Sequence, residues 1–189
     1  MKLRSLKFKS VKSTNDIAHM LIKKKNIRPT IIMSEKQTKG RGTMGKKWIS
    51  KKGNLFLTIF FDISNKKIDF KKFAVLNAYL LKGILIKKFS NKIKIKWPND
   101  LLFERKKICG ILQETVFNEG KKFLIVGIGI NTNLDPKNRS FSSTSLKQIS
   151  NKNIDNKKLF IIIKKNYEKF LFKANQNSFS KLKKFTQKI

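Results

Sequence analysis

Three glycines, Gly40, Gly42 and Gly45, fall within six residues of the stretch Gln-Thr-Lys-Gly-Arg-Gly-Thr-Met-Gly-Lys-Lys-Trp that spans 37–48. Glycine reaches positive φ without steric cost and lets another molecule come close to the main chain. An apolar, β-rich run at 30–33 (Thr-Ile-Ile-Met) precedes this stretch, and another at 55–61 (Leu-Phe-Leu-Thr-Ile-Phe-Phe) follows it. The chain must therefore accommodate a glycine-rich loop between two strands. Successive backbone N–H groups in such a loop can converge on an anion, and Arg41, Lys46 and Lys47 add full positive charges. Phosphate or carboxylate is the expected guest. The stretch is not a Walker loop, since no Gly-Lys-Ser/Thr follows, nor a dinucleotide fingerprint, since no helix opens after it. The plain alternative is a solvated, lysine-rich hairpin loop.

A chain of 189 residues suits one domain with a substantial core, and 40% hydrophobic residues with sixteen Phe can supply that core. No stretch approaches the ~18–20 apolar residues of a membrane span. The first residues, Met-Lys-Leu-Arg-Ser-Leu-Lys, lack the apolar segment and cleavage site of a signal peptide. The single cysteine, Cys109, excludes an internal disulfide and fits a reducing cytoplasm. A net charge of +34 invites a nucleic-acid reading, yet only five of the 45 basic residues are arginine. The lysines are spread throughout, as compositional drift toward A/T-rich codons would spread them. No helix-turn-helix, zinc-finger or single-strand-binding signature accompanies them. The expectation is no specific DNA partner and only salt-sensitive polyanion binding.

Along the chain, Ser13, Thr14, Asn15 and Asp16 stand where a helix over 14–25 would be capped. A plain cap is the bland reading of that quartet. His19, with no second His or Cys near it, reads as structural or exposed. The first strand is expected near residue 30 and the second over 54–61. Residues 68–89 carry apolar side chains at helical intervals and predict the longest helix. Residues 93–97 alternate as a half-buried strand, followed by hairpins turning at 104–105 and 118–120. Residues 135–153 read as a mobile polar loop, and 157–172 and 179–185 as amphipathic helices. The order predicts an α+β fold with a mixed, mostly antiparallel sheet and helices packed on it.

Chemistry-bearing residues recur after the loop. Lys96-Trp97-Pro98-Asn99-Asp100 sets a cation, a carboxamide and a carboxylate at a strand end. Buried charges must be paired or used, and a bare ion pair is the bland reading here. Lys107 lies three residues before Gly110, and Val126-Gly-Ile-Gly-Ile-Asn131 has Gly127 and Gly129 inside an apolar strand. Strand glycines mark close approach by a ligand or backbone, or a bulge.

Taken in order, Ser-Thr-Asn, Gln-x-x-Gly-Arg-Gly-x-x-Gly-x-x-Trp, Lys-Trp-Pro-Asn-Asp, Lys-x-x-Gly-Ile-Leu-x-Glu and Gly-Ile-Gly-Ile-Asn resemble the catalytic domain of biotin protein ligases. The resemblance runs from about residue 12 to 133. It implies a class II synthetase-like biotin/lipoate ligase fold. It also implies a two-step reaction, in which biotin and Mg-ATP give biotinyl-5′-adenylate and the acyl group then passes to a lysine of a biotin carboxyl carrier protein, a subunit of acetyl-CoA carboxylase. By motif match, Ser13, Thr14, Asn15 and Gln37 would bind the polar head of biotin. Gly40, Arg41, Gly42 and Thr43 would close over the carboxylate and phosphate, with Lys107 at the reacting atoms and Lys96 on the phosphate side. Asn99, Asp100 and Asn131 would orient the ATP phosphates and Mg²⁺, with Asp100 and Asn131 as its ligands. Gly110, Gly127 and Gly129 would leave room for the biotin ring and tail, and Trp48 would face the adenine.

The sequence departs from the family loop at Thr43 and Lys46, where arginine is usual. Lysine at 46 keeps the charge but loses the bidentate fork, and threonine at 43 loses the charge altogether, so a less tightly held adenylate is expected. Residues 1–189 are expected to be one minimal catalytic domain, with neither an N-terminal DNA-binding domain nor a C-terminal β-barrel. The sheet edge near 127–131 is a candidate homodimer surface. Two other readings stand beside this one: a lipoate or octanoyl ligase on the same fold, and a basic nucleic-acid-binding or degenerate, non-catalytic protein. Arg41, Lys96, Asp100, Lys107 and Asn131 argue against degeneration.

Overall fold

A computed structural model of the chain describes residues 1–64, 68–136, 142–174, 177 and 179–188. Its strands are β1 (Arg4–Phe8), β2 (Thr30–Ser34), β3 (Leu55–Asp62), β4 (Ile93–Lys96), β5 (Asp100–Phe103), β6 (Lys106–Asn118) and β7 (Lys121–Ile130). The helices are α1 (Thr14–Lys23), α2 (Phe70–Lys88), α3 (Leu146–Ser150), α4 (Asn156–Ala174) and α5 (Phe179–Lys188). The strands form one sheet in the order β1-β2-β3-β7-β6-β5-β4. Only β1 and β2 run parallel; every other neighbouring pair is antiparallel. The expected mixed, mostly antiparallel α+β fold is what the chain adopts.

The hairpins turn where the sequence placed them. Glu104 and Arg105 both have positive φ, as do Glu119 and Gly120. Two-residue loops of that hand match the twist of the flanking strands. Alternation along the strands then divides the core. Leu57, Ile59, Leu124, Val126 and Ile128 join the larger cluster, which α2, α4 and α5 complete. Ile32, Phe60, Phe123 and Ile125 point to the other face, where Ala18 and Ile22 of α1 cover them. Within the large cluster, Phe73 of α2 meets Phe61 and Phe170 edge-on at 5.6 and 6.3 Å. Beside it the buried Asn77 donates to Gln113 Oε1 and accepts from the Tyr167 hydroxyl.

Several expectations are corrected. The first strand is β1, not β2; β1 lies at the sheet edge, and half-buried positions alternate with exposed ones along it. The loop expected over 135–153 contains α3, fixed by a capping box in which Ser145 and Gln148 satisfy each other's main chain. The part of that loop at 137–141 lies outside the described residues. Helix α2 is not the longest, since α2 and α4 both span 19 residues. Nor is 127–131 a sheet edge: β7 pairs with β3 on one side and β6 on the other, so it offers no open strand to a second copy. Among the described residues no helix is long and apolar enough to cross a membrane.

Phe73→Ala removes the ring on which two sheet-facing aromatics lean. It is expected to cost about 3–5 kcal/mol in urea unfolding, and a loss below about 1 kcal/mol would mean that the core closes around the gap.

Candidate active site

On β7 the positions facing α1 run Phe123, Ile125, Gly127 and Gly129, so the apolar surface stops and two residues without side chains follow. The register extends the gap sideways. Gly129 lies opposite Gly110 on β6 and Phe56 on β3; Gly127 lies opposite Leu112 and Thr58. Other parts of the chain descend into this hollow. A Cβ at Gly127 would lie 2.5 Å from Asn15 Oδ1. At Gly129 a Cβ would overlap the Trp48 indole, and at Gly110 it would sit 2.7 Å from that ring. Gly110, Gly127 and Gly129 line the cleft, and the missing side chains also admit Asn15 and Trp48 to the sheet. Those two side chains then line a cleft of about 450 Å³.

One wall of the cleft is the start of α1. Ser13 occupies the N-cap position and is buried, but its hydroxyl makes no capping bond. A plain cap therefore does not explain it. Gln37 Oε1 accepts from both the Thr14 N–H (2.8 Å) and the Thr14 hydroxyl (3.0 Å), while Gln37 Nε2 donates to Ser50 Oγ. Thr58, which the sequence reading missed, is fully buried, with its Oγ1 2.7 Å from Thr14 Oγ1 and 2.6 Å from Asn15 Oδ1. A single hydroxyl within the apolar run 55–61 was the available signal. The oxygens Gln37 Oε1, Thr14 Oγ1, Thr58 Oγ1 and Asn15 Oδ1 thus form three contacts. Two hydroxyl hydrogens cannot fill three bonds, so this wall is rich in acceptors.

The glycine loop forms the lid side. Its base is pinned by the Thr38 and Lys39 N–H groups to the carbonyls of Val11 and Lys12. Beyond that it folds on itself: Arg41 bridges Lys47, Gly42 N–H donates to the Lys46 carbonyl at 2.7 Å, and a short 3-10 turn spans Thr43–Gly45. Met44 at the tip has φ 54° and is 93% exposed. Gly40 is buried beneath the loop. Arg41, Gly42 and Thr43 face the cleft.

At the other end stands a cation. Lys107 Nζ lies 2.7 Å from Asp100 Oδ1 and 5.2 Å from the centre of the Trp48 ring, with both charged side chains largely buried. Asn99 lines the cleft and donates to the Ile111 carbonyl. Asn131 is buried beside this end. Its Nδ2 donates to the carbonyls of Lys107 and Thr144, and its Oδ1 has no hydrogen-bond partner among the described residues. The Trp48 indole N–H is likewise buried without a partner. Lys96 stands apart, exposed on β4 opposite Asp100 and outside the lining of the cleft.

Glu114 ties the two walls together. It receives Asn15 Nδ2 at 2.6 Å and Arg41 Nη1 at 2.9 Å, with His19 Nε2 3.5 Å away. Burial alone would raise its carboxyl, but hydrogen bonds from His19 and Asn15 and the charge of Arg41 outweigh burial and hold it down at about 2. His19 is thus structural, as expected, and borders the site.

Residues 7–131 match the family model described as "Biotin/lipoate A/B protein ligase family". Over 153 residues the chain is 34% identical to the bifunctional ligase/repressor BirA of Bacillus spizizenii, which covers 77% of this chain and 46% of the relative. It is 30% identical over 106 residues to a biotin–[acetyl-CoA-carboxylase] ligase of Paracoccus denitrificans, covering 53% and 43%. This chain therefore spans less than half the length of these relatives. Among solved structures, the biotin protein ligase from Aquifex aeolicus in complex with biotin and ATP superposes with a TM-score of 0.78 at 30% identity, covering 93% of this chain and 73% of that one.

A carboxyl held near 2 in the folded chain and at its ordinary value in the unfolded one gives stability that is complete above pH about 4.5 and fades as the pH falls toward 2. The urea midpoint of the wild type should therefore drop more steeply across that window than that of Glu114→Gln. Parallel curves would show that the contacts of Glu114 do not hold its proton off.

Proposed function

We propose that this chain, which belongs to the biotin/lipoate A/B protein ligase family, is an ATP-dependent biotin–protein ligase. It would join biotin to AMP and pass the acyl group to one lysine of a biotin carboxyl carrier protein, the acetyl-CoA carboxylase subunit. The observation that carries the reading is the polarity of one cleft. Hydrogen-bond acceptors crowd the wall at Thr14, Asn15 and Gln37, backed by the buried Thr58, while Lys107 stands at the other end and the glycine loop lies alongside. A cyclic urea offers N–H donors, and an acyl phosphate offers negative charge. Biotinyl-adenylate carries both.

In the first step the biotin carboxylate oxygen attacks the α-phosphorus of ATP, and pyrophosphate leaves with the bonding pair. In the second the carrier amine attacks the acyl carbon, loses a proton, and AMP leaves. No side chain need become a nucleophile. The protein must hold two anions together and stabilise the charge that develops, which is a matter of positioning and fixed electrostatics. Lys107 suits that task because Asp100 and the Trp48 ring hold its ammonium at the cleft. Arg41 and the main chain of Gly42 and Thr43 would close over the acyl phosphate. Lys96 would approach the outer phosphates from the strand end.

Asp100 and Asn131 would hold Mg²⁺ through the ATP phosphates. Their fit rests on chemistry: a carboxylate and a buried carboxamide oxygen without a protein partner are hard donors of the kind this ion takes. When bound, the ion would neutralise phosphate charge. A reaction using ATP and a carboxylase subunit belongs in the cytoplasm, where we place it.

The test is incubation with biotin, ATP and a biotin carboxyl carrier domain, with lipoate as the control acid. Biotin-dependent pyrophosphate release and a biotinylated carrier are expected; equal use of lipoate would move the assignment to a lipoate ligase. Lys107→Ala should lower pyrophosphate release roughly 10²–10³-fold without unfolding the chain. Release within about tenfold of wild type would remove Lys107 from the reacting centre.

A further inference from the structure

Glu114 ends the Lys-x-x-Gly-Ile-Leu-x-Glu motif, yet the proposed chemistry leaves it without a task. Its surroundings supply one. Arg41 meets it with both terminal nitrogens, Nη1 to Oε1 at 2.9 Å and Nη2 to Oε2 at 3.1 Å. Asn15 Nδ2 donates to Oε2 at 2.6 Å, and His19 Nε2 stands 3.5 Å from the same oxygen. Arg41 also reaches Asp16 Oδ1 at 3.0 Å. The carboxylate is thus shared between the start of α1 and the glycine loop. From Arg41 to Lys47 the main-chain hydrogen bonds given above stay within the loop. The loop reaches the sheet through side chains: Arg41 onto Glu114, and Trp48 into the glycine hollow.

We infer that Glu114 is a positioning residue, a clasp that holds the Arg41 fork, and with it the main chain of 40–42, against the sheet while fixing the amide of Asn15. Through one carboxylate, the order of the head-binding wall is coupled to closure of the loop over the acyl phosphate. A paired guanidinium–carboxylate fork is strongly directional, and Glu114 is mostly shielded, with a side chain only 22% exposed. Arg41 is 40% exposed, so the two-bond geometry of the fork, rather than burial, sets it apart from a single-contact surface ion pair, which contributes little. The role in catalysis rests on the ligase reading; the clasp itself does not.

Two substitutions separate these statements. Glu114→Gln keeps the size and one acceptor but breaks the fork, and Arg41→Lys keeps the charge but cannot form it. In brief trypsin digestion of the intact chain without substrates, both should raise cleavage after Lys46 and Lys47 by roughly tenfold, while cleavage after Lys92 stays unchanged. With biotin and ATP, both should release preformed adenylate roughly tenfold faster. Because Glu114 holds the loop through Arg41, adding Glu114→Gln to Arg41→Lys should change loop cleavage no further. Unchanged loop cleavage in Arg41→Lys overturns the clasp, as do additive effects in the double variant. If Glu114→Gln is cleaved faster at every site alike, it has unfolded, and Arg41→Lys carries the test with Glu114 in place. If loop cleavage rises but neither wild type nor variant makes adenylate, the clasp stands and the ligase reading falls.

Discussion

The site depends on a steric constraint: on the face of the sheet under α1, side chains cease where β7 reaches Gly127 and Gly129 and β6 reaches Gly110. A sheet covered by a helix would normally continue its apolar surface there. Instead two polar groups from distant parts of the chain come down to the backbone, Asn15 from α1 and the Trp48 indole from the loop. A methyl group at any of the three glycines would push one of them out. The acceptor wall, the seat of Trp48 and the reach of Lys107 across its ring all follow from that missing row.

Electrostatics sharpen the arrangement. In a chain of net charge +34, the eleven carboxylates are scarce. Two shielded ones stand beside this cleft, each opposite a cation that the chemistry needs: Glu114 against Arg41 and Asp100 against Lys107, while the more exposed Asp16 also meets Arg41. Both pairs are partly shielded from water, where a charge is fixed in direction as well as in sign. Most other lysines among the described residues lie on exposed faces and outside the lining of the cleft. High total charge and local chemistry are separate properties of this molecule.

How legible the sequence was follows from the range of the interactions. Ser13–Gln37 and the glycine loop could be read because each is a local pattern tied to a local task. The hairpins could be read because short turns between alternating runs leave little choice. The place of β7 could not, because strand order is a long-range fact; residues that looked like an edge lie between two partners. β1 was missed for a different reason: at the sheet edge its alternate positions are only half-buried, and its five residues carry just two apolar side chains, Leu6 and Phe8. Thr58 was hidden in an apolar run, and its meaning appears only when Thr14 and Asn15 arrive from another element. The glycines were read as sites of close approach, and the protein's own Asn15 and Trp48 approach them at the cleft they line.

The central claim is that one cleft reads an acyl adenylate end to end, with the urea head on the acceptor wall and the acyl phosphate under the loop beside Lys107. A crystal structure with a non-hydrolysable biotinyl-adenylate analogue tests it most directly. The account predicts the bicyclic head against Thr14, Asn15 and Gln37, the acyl–phosphate linkage within hydrogen-bond reach of Lys107, and the Trp48 ring still seated on Gly110 and Gly129. An analogue bound in the reverse direction, or outside this cleft with Lys107 untouched, would contradict it.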